Sequence, residues 1–109
     1  MSREKGNFAE ERACSYLVEN GYEVVERNFY SRFGEIDIIA LKEDVLHFVE
    51  VKSGDDYESA IQNITTTKLS RIIKTAQIYM KKQNSDNDYT FDAVVVTPSD
   101  VIFVEDITL

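Results

Sequence analysis

The chain has one cysteine, one proline and one histidine among its 109 residues. With Cys14 alone, an internal disulfide and a four-thiolate zinc site are both excluded. Pro98 is the only proline, and no Gly/Ser-rich linker or repeat interrupts the chain, so residues 1–109 are expected to form a single domain. No apolar run approaches the roughly 18 residues that a membrane-spanning helix needs, and no membrane partner is expected. Met1 to Asn7 is polar and lacks an apolar segment behind it, unlike a secretory leader, so the expected address is the cytoplasm. Positive charge is also scarce: 12 Lys and Arg face 20 Asp and Glu, a net charge of −8. That counts against a dedicated nucleic-acid coat protein, which is usually basic, but not against an enzyme with a local basic stripe.

What is present suits a globular protein. Hydrophobic content is 43% and charged content 29%, which argues against a disordered chain. Area scaling for this mass gives a folded surface of roughly 6,000 Å² against roughly 18,000 Å² unfolded, enough burial for one core. The scarce cations are unevenly placed. Lys68, Arg71, Lys74, Lys81 and Lys82 lie in a fifteen-residue stretch without a single acid. Acids gather at Asp55, Asp56 and Glu58 and again between Asp86 and Asp106.

Periodicity predicts a first helix over Phe8 to Asn20, with Ala9, Ala13, Tyr16 and Leu17 at helical spacing and Gly21 as its stop. Tyr22 to Ser31, Glu35 to Leu41 and Val45 to Lys52 read as strands rich in β-branched residues. Gly54 to Asn63 reads as a loop. Ile64 to Gln83 reads as a second helix with Leu69, Ile72, Ile73, Ala76 and Met80 on its apolar stripe, and with Thr65, Thr66 or Thr67 as N-cap. Tyr89 to Thr97 and Val101 to Glu105 are the last two strands. The order α-β-β-β-α-β-β predicts an α/β fold with a central mixed five-stranded sheet and flanking helices. Phe8, Tyr16, Phe29, Phe33, Phe48 and Phe91 are expected in the core.

Two strands carry charge where apolar residues belong. Alternation places Glu35, Asp37 and Ile39 on one face of the second strand and Ile36, Ile38 and Ala40 on the other. In the third strand Leu46, Phe48, Glu50 and Lys52 share a face opposite His47, Val49 and Val51. A turn symmetric about Glu43 and Asp44 sets Asp37 against Glu50 and Glu35 against Lys52. Two carboxylates about 4.5 Å apart at an effective dielectric near 20 repel by roughly 4 kcal/mol. Like charges facing each other destabilise a sheet, so a cation, a proton or splayed rotamers must offset them. A divalent ion suits the pair: Mg²⁺ takes hard oxygen ligands from one or two carboxylates and keeps several waters. Lys52 on the same face is then placed to orient a water or stabilise a transition state. Glu10 lies on the buried stripe of the first helix and needs a partner there.

The string Gly6-x-x-x-Glu10-x-x-Ala13-x-x-x-Leu17, Gly21-Tyr22, Arg27-Asn28, Gly34-Glu35-Ile36-Asp37-Ile38-Ile39-Ala40, Phe48-Val49-Glu50-Val51-Lys52, Lys68-x-x-Arg71-Ile72, Ala76 and Phe91-Asp92 is similar to the YraN-like family of small bacterial proteins. That family resembles the PD-(D/E)XK nuclease superfamily and, within it, the archaeal Holliday-junction resolvases. The resemblance implies a restriction endonuclease-like fold and metal-dependent phosphodiester hydrolysis in DNA, branched DNA included. It matches Asp37 and Glu50 to the metal carboxylates for Mg²⁺ or Mn²⁺, Lys52 to the superfamily lysine and Glu10 to the first-helix acid. Lys68 matches a second-helix lysine whose guessed role is contact with nucleic acid, and Arg71 lies on the same basic stripe. One departure stands out: Ser53-Gly54-Asp55-Asp56 follows the Glu-Val-Lys triplet where a basic residue is common.

Each candidate also has a plainer role. Asp37, Glu50 and Lys52 also suit a structural ion cluster, Glu10 a local pair, Glu35 a cross-strand partner for Lys52, and the basic stripe a solvated helix face, Lys81 and Lys82 above all. His47, on the face away from the acids, is expected to pack or face solvent and not to act in catalysis, Cys14 is expected to be inert, and Tyr30 and Tyr57 are placed to stack on a base. Three functions remain open at this point: a nuclease, plausibly a homodimer because one chain has little basic surface; a non-catalytic module binding nucleic acid or protein on the same fold; and an interaction protein whose acids hold nothing.

Overall fold

The computed structural model describes residues 2–108, with side chains from Asn7 onward; Met1 and Leu109, the two ends of the expected domain, lie outside the described residues. The elements run α1 (Ser2–Glu19), β1 (Glu23–Ser31), β2 (Gly34–Lys42), β3 (Val45–Ser53), α2 (Tyr57–Ile61), α3 (Thr66–Lys82), β4 (Asp88–Val96) and β5 (Val101–Val104). The five strands form one mixed sheet in the order β1-β2-β3-β4-β5, parallel only between β3 and β4 and antiparallel elsewhere. The accessible surface is 6755 Å², close to the scaling value. The α/β architecture and element order agree with expectation, with one addition. The segment expected as a loop over Gly54 to Asn63 contains α2, capped by Asp56, whose Oδ1 accepts the Ser59 N–H at 2.8 Å. Ala60 of this helix is fully buried, and a Cβ on Gly54 would meet its Cβ at 3.3 Å, so glycine permits the close approach.

Local chemistry explains the boundaries. α1 buries Ala9, Ala13 and Leu17 at i, i+4, i+8. It ends where Gly21 takes φ +88, with Gly21 N–H donating to Val18 O at 3.1 Å and Tyr22 N–H to Leu17 O at 2.9 Å. That is the paired left-handed stop for which glycine is suited. Thr65 caps α3, its side chain accepting the Lys68 N–H at 3.2 Å. Glu43 (φ 51) and Asp44 (φ 66) make the two-residue β2–β3 turn, both left-handed as such a hairpin requires. Asn87 steadies this turn by donating its side-chain amide to Asp44 O at 2.9 Å.

Two cores sandwich the sheet. α1 covers Ile38, Ala40, Val49, Val94 and Val96. α3 covers the other face, where Ile72, Ala76 and Tyr79 meet Phe29, Ile36, Ile39, Leu46, Phe48 and Phe91. Here the expected alternation fails. Ile36 packs with Ile39 on the α3 side and not with Ile38 and Ala40. The cause lies in β1, where Asn28 takes φ 54 opposite Asp37, interrupting the pleat between the Arg27↔Ile38 and Phe29↔Ile36 pairs. Arg27 and Ile38 face α1, whereas Phe29 and Ile36 face α3. The aromatic expectation also needs correcting. Phe29, Phe48 and Phe91 are core, but Phe8 is 67% exposed, Tyr16 only packs at the edge of the α1 core, and Phe33 sits in the β1–β2 turn.

Candidate functional site

The β2–β3 register follows the expected turn: Lys42↔Val45 through Ile38↔Val49. Its continuation sets Asp37 against Glu50, at the point where the pleat of β2 breaks. The regular β2–β3 ladder stops there, and Asp37 Oδ2 accepts the Val51 N–H at 2.8 Å in place of a strand carbonyl. Asp37 is close enough to Glu50 to share a proton with it. Burial, followed by Glu50, pushes the Asp37 pKa up to about 8, although the Val51 N–H and the Lys52 ammonium pull the other way. Lys52 in turn lies beside Lys68 at the start of α3, where its positive charge lowers the Lys68 pKa while Glu50 raises it. The structure therefore brings Asp37, Glu50, Lys52 and Lys68 together, and Arg71 follows one turn later on α3.

Glu10 is placed differently. Its Oε1 accepts from the Asn28 side chain at 3.2 Å and lies 3.6 Å from the Arg27 guanidinium. Neighbouring Glu11 takes the same guanidinium at 2.6 Å. Glu10 thus holds the residue whose left-handed backbone breaks the pleat opposite Asp37, and its carboxylate is occupied in doing so. Among the described residues no three His, Cys, Asp or Glu side chains converge on a common point, so the candidate centre is a carboxylate pair. Glu35 pairs in the ladder with Tyr30, and among the described residues it forms no ion pair with Lys52.

The donor set suits a hard divalent cation. Two carboxylates press together with one N–H between them, so a cation relieves a repulsion that the fold leaves in place. Cys14 is half-buried, and burial pushes its thiol pKa up, as befits an inert residue. Asp56, in the acidic stretch after the Glu-Val-Lys triplet, is the cap of α2; the Ser59 N–H holds its pKa down.

One pair escapes sequence reasoning. His47 Nδ1 is hydrogen-bonded to Asp92 Oδ2, and Asp92, 1% exposed, also accepts the Asp106 N–H at 2.8 Å and the Thr90 hydroxyl at 3.3 Å. Tyr22 packs edge-on against the imidazole, with ring centroids 5.0 Å apart. The one available signal, a buried acid in a Val-rich strand, names no partner.

Fold and site together define an α/β protein with a carboxylate pair and two lysines where β2, β3 and α3 meet. Residues 9–96 match the uncharacterised protein family UPF0102. The chain is 62% identical over 109 residues to a UPF0102 protein of Sulfurimonas denitrificans, each chain covered in full. It is 53% identical over 109 residues to one from Wolinella succinogenes and 46% identical over 110 residues to one from Aliarcobacter butzleri, again with full coverage of both chains. The chain belongs to the UPF0102 family, the family to which its motifs pointed.

Proposed function

We propose that this protein is a metal-dependent nuclease that hydrolyses phosphodiester bonds in DNA. The pairing of Asp37 with Glu50 on adjacent strands, with Lys52 on the next outward position of β3, carries the proposal. Asp37 and Glu50 would hold Mg²⁺ or Mn²⁺. Such an ion supplies a polarised phosphoryl oxygen and a water of lowered pKa. The chain's own residues do the rest. The Val51 N–H fixes the orientation of Asp37. Lys52 places a positive charge where the phosphoryl oxygens gain negative charge, and Lys68 beside it binds the neighbouring phosphate. Glu10 holds Asn28, the residue opposite Asp37 in the neighbouring strand. In hydrolysis the bond from phosphorus to the leaving oxygen breaks, a water oxygen replaces it, and the leaving oxygen takes up a proton.

The engagement of Glu10 with Asn28 and Arg27 favours a second reading, a non-catalytic module binding nucleic acid or protein, because a third carboxylate does not join the pair. A cleavage assay on supercoiled, linear and four-way-junction DNA with Mg²⁺ or Mn²⁺ separates the two. Cleavage by the wild type that falls at least 100-fold (about 3 kcal/mol) in Glu50→Gln and Lys52→Ala supports the nuclease. Binding without turnover in either metal supports the module.

A further inference from the structure

Five of the twelve basic residues form a continuous line on this acidic molecule. Lys52 lies against Lys68. Arg71 is one turn further along α3, and a Cβ on Gly34 would sit 3.6 Å from its Cβ, which brings the β1–β2 turn onto the helix. Phe33 of that turn carries two cations over its ring: the Arg32 guanidinium at 4.9 Å and the Lys74 ammonium at 5.2 Å from the centroid. Among the described residues none of these five cations forms an ion pair with a carboxylate. Among the described lysines and arginines only Arg27 forms an ion pair, so what sets these five apart on a chain of net charge −8 is that they lie next to one another. Contact with the Phe33 ring also holds Arg32 and Lys74 in place without neutralising them. That is the arrangement expected of a clamp for an anion that comes from outside.

The geometry points to a phosphate clamp at the β1–β2 turn, made of Arg32, Phe33 and Lys74, that grips one strand of nucleic acid leading away from the carboxylate pair. This extends the nuclease proposal and rests on it for the identity of the polyanion. The line is a single file of charges. From Lys68 to Lys74 it advances about 9 Å along α3. Such a line matches the phosphates of one strand. The acidic remainder of the surface repels a second strand, so the ligand is a single-stranded or unpaired segment and not a blunt duplex. Arg32 adds a guanidinium plane on which an unpaired base can stack.

Fluorescence anisotropy of a short labelled oligonucleotide, with EDTA present so that nothing is cut, tests the clamp apart from catalysis. The wild type is expected to bind the single strand more tightly than a blunt duplex of the same length at low salt. Each single-strand phosphate contact contributes about 0.7 to the slope of log affinity against log salt. The double variant Arg32→Ala/Lys74→Ala should therefore lower that slope by about 1.4 and weaken binding about tenfold or more. Phe33→Leu, which keeps an apolar side chain but removes the ring, should weaken binding several-fold with its charge unchanged. Lys81→Ala, at the far end of the same helix, should bind as the wild type does. An unchanged slope in the double variant, equal or tighter binding of the duplex, equal competition by poly-glutamate, or no binding at low salt would each overturn the clamp. None of these results depends on whether Asp37 and Glu50 cut DNA.

Discussion

The two faces of the sheet treat charge in opposite ways. On the α1 face Glu10, Arg12 and Asp92 all have partners. Glu10 holds Asn28 and Arg27, the Arg12 guanidinium donates to Thr97 O at 2.7 Å, and buried Asp92 receives His47, Thr90 and an N–H from the chain end. On the α3 face, Asp37 faces another carboxylate with the Val51 N–H and the Lys52 ammonium for support, and a row of cations that form no ion pair among the described residues runs past it. Both faces are built on the same strands, so the difference does not come from the architecture. A fold that can satisfy Asp92 with three donors does not need to leave Asp37 beside Glu50. In the proposed function, the unsatisfied face is where the ligand would bind.

The comparison can be broken by removing an acid from each face. Asp92→Ala leaves the Asp106 N–H and His47 Nδ1 without their buried acceptor and should cost about 3 kcal/mol in urea unfolding, since each stranded donor costs about 1–3 kcal/mol. Asp37→Asn should do the reverse, stabilising the metal-free protein by about 2 kcal/mol above pH 8, because it removes one of two repelling charges. A loss of stability there would make Asp37 a structural acid like Asp92.

The same contrast has a pH signature. Folded Asp37 keeps its proton to about pH 8, whereas in the unfolded chain it titrates near 3.8. Between those values the folded state binds more protons, so wild-type stability in EDTA should fall as pH rises from about 4 to about 8 and level off above. In Asp37→Asn that decline should flatten, as thermal melts across the range would record. The smallest effect belongs to the frame around the site. Thr65→Ala removes the cap of α3 and should cost about 1 kcal/mol, lowering metal-free stability without changing its pH dependence.

Much of this was legible in the sequence. A two-residue turn at Glu43-Asp44 fixes the β2–β3 register, and that register places Asp37 opposite Glu50 before any coordinates are considered. The facing of Ile36 was not legible. Period-2 reasoning assumes an unbroken pleat, and only asparagine's tolerance of the left-handed region hints that Asn28 breaks it. The partner of Glu10 was hidden for the same reason. The His47–Asp92 pair depends on the parallel β3–β4 register, which sets His47 beside Thr90 and two residues short of Asp92, and no local pattern encodes that. Phe33 looked like core because it is aromatic; its place in a tight turn against Lys74 is a tertiary fact. α2 was missed because five residues carry too little periodicity, although Asp56 three residues before Ser59 is a capping pattern.

Calorimetric titration of Mn²⁺ into the wild type and into Glu50→Gln tests the carboxylate pair most directly. The account predicts saturable heat from the wild type and its loss in the variant. Equal heat from both proteins, or none from the wild type, would contradict it.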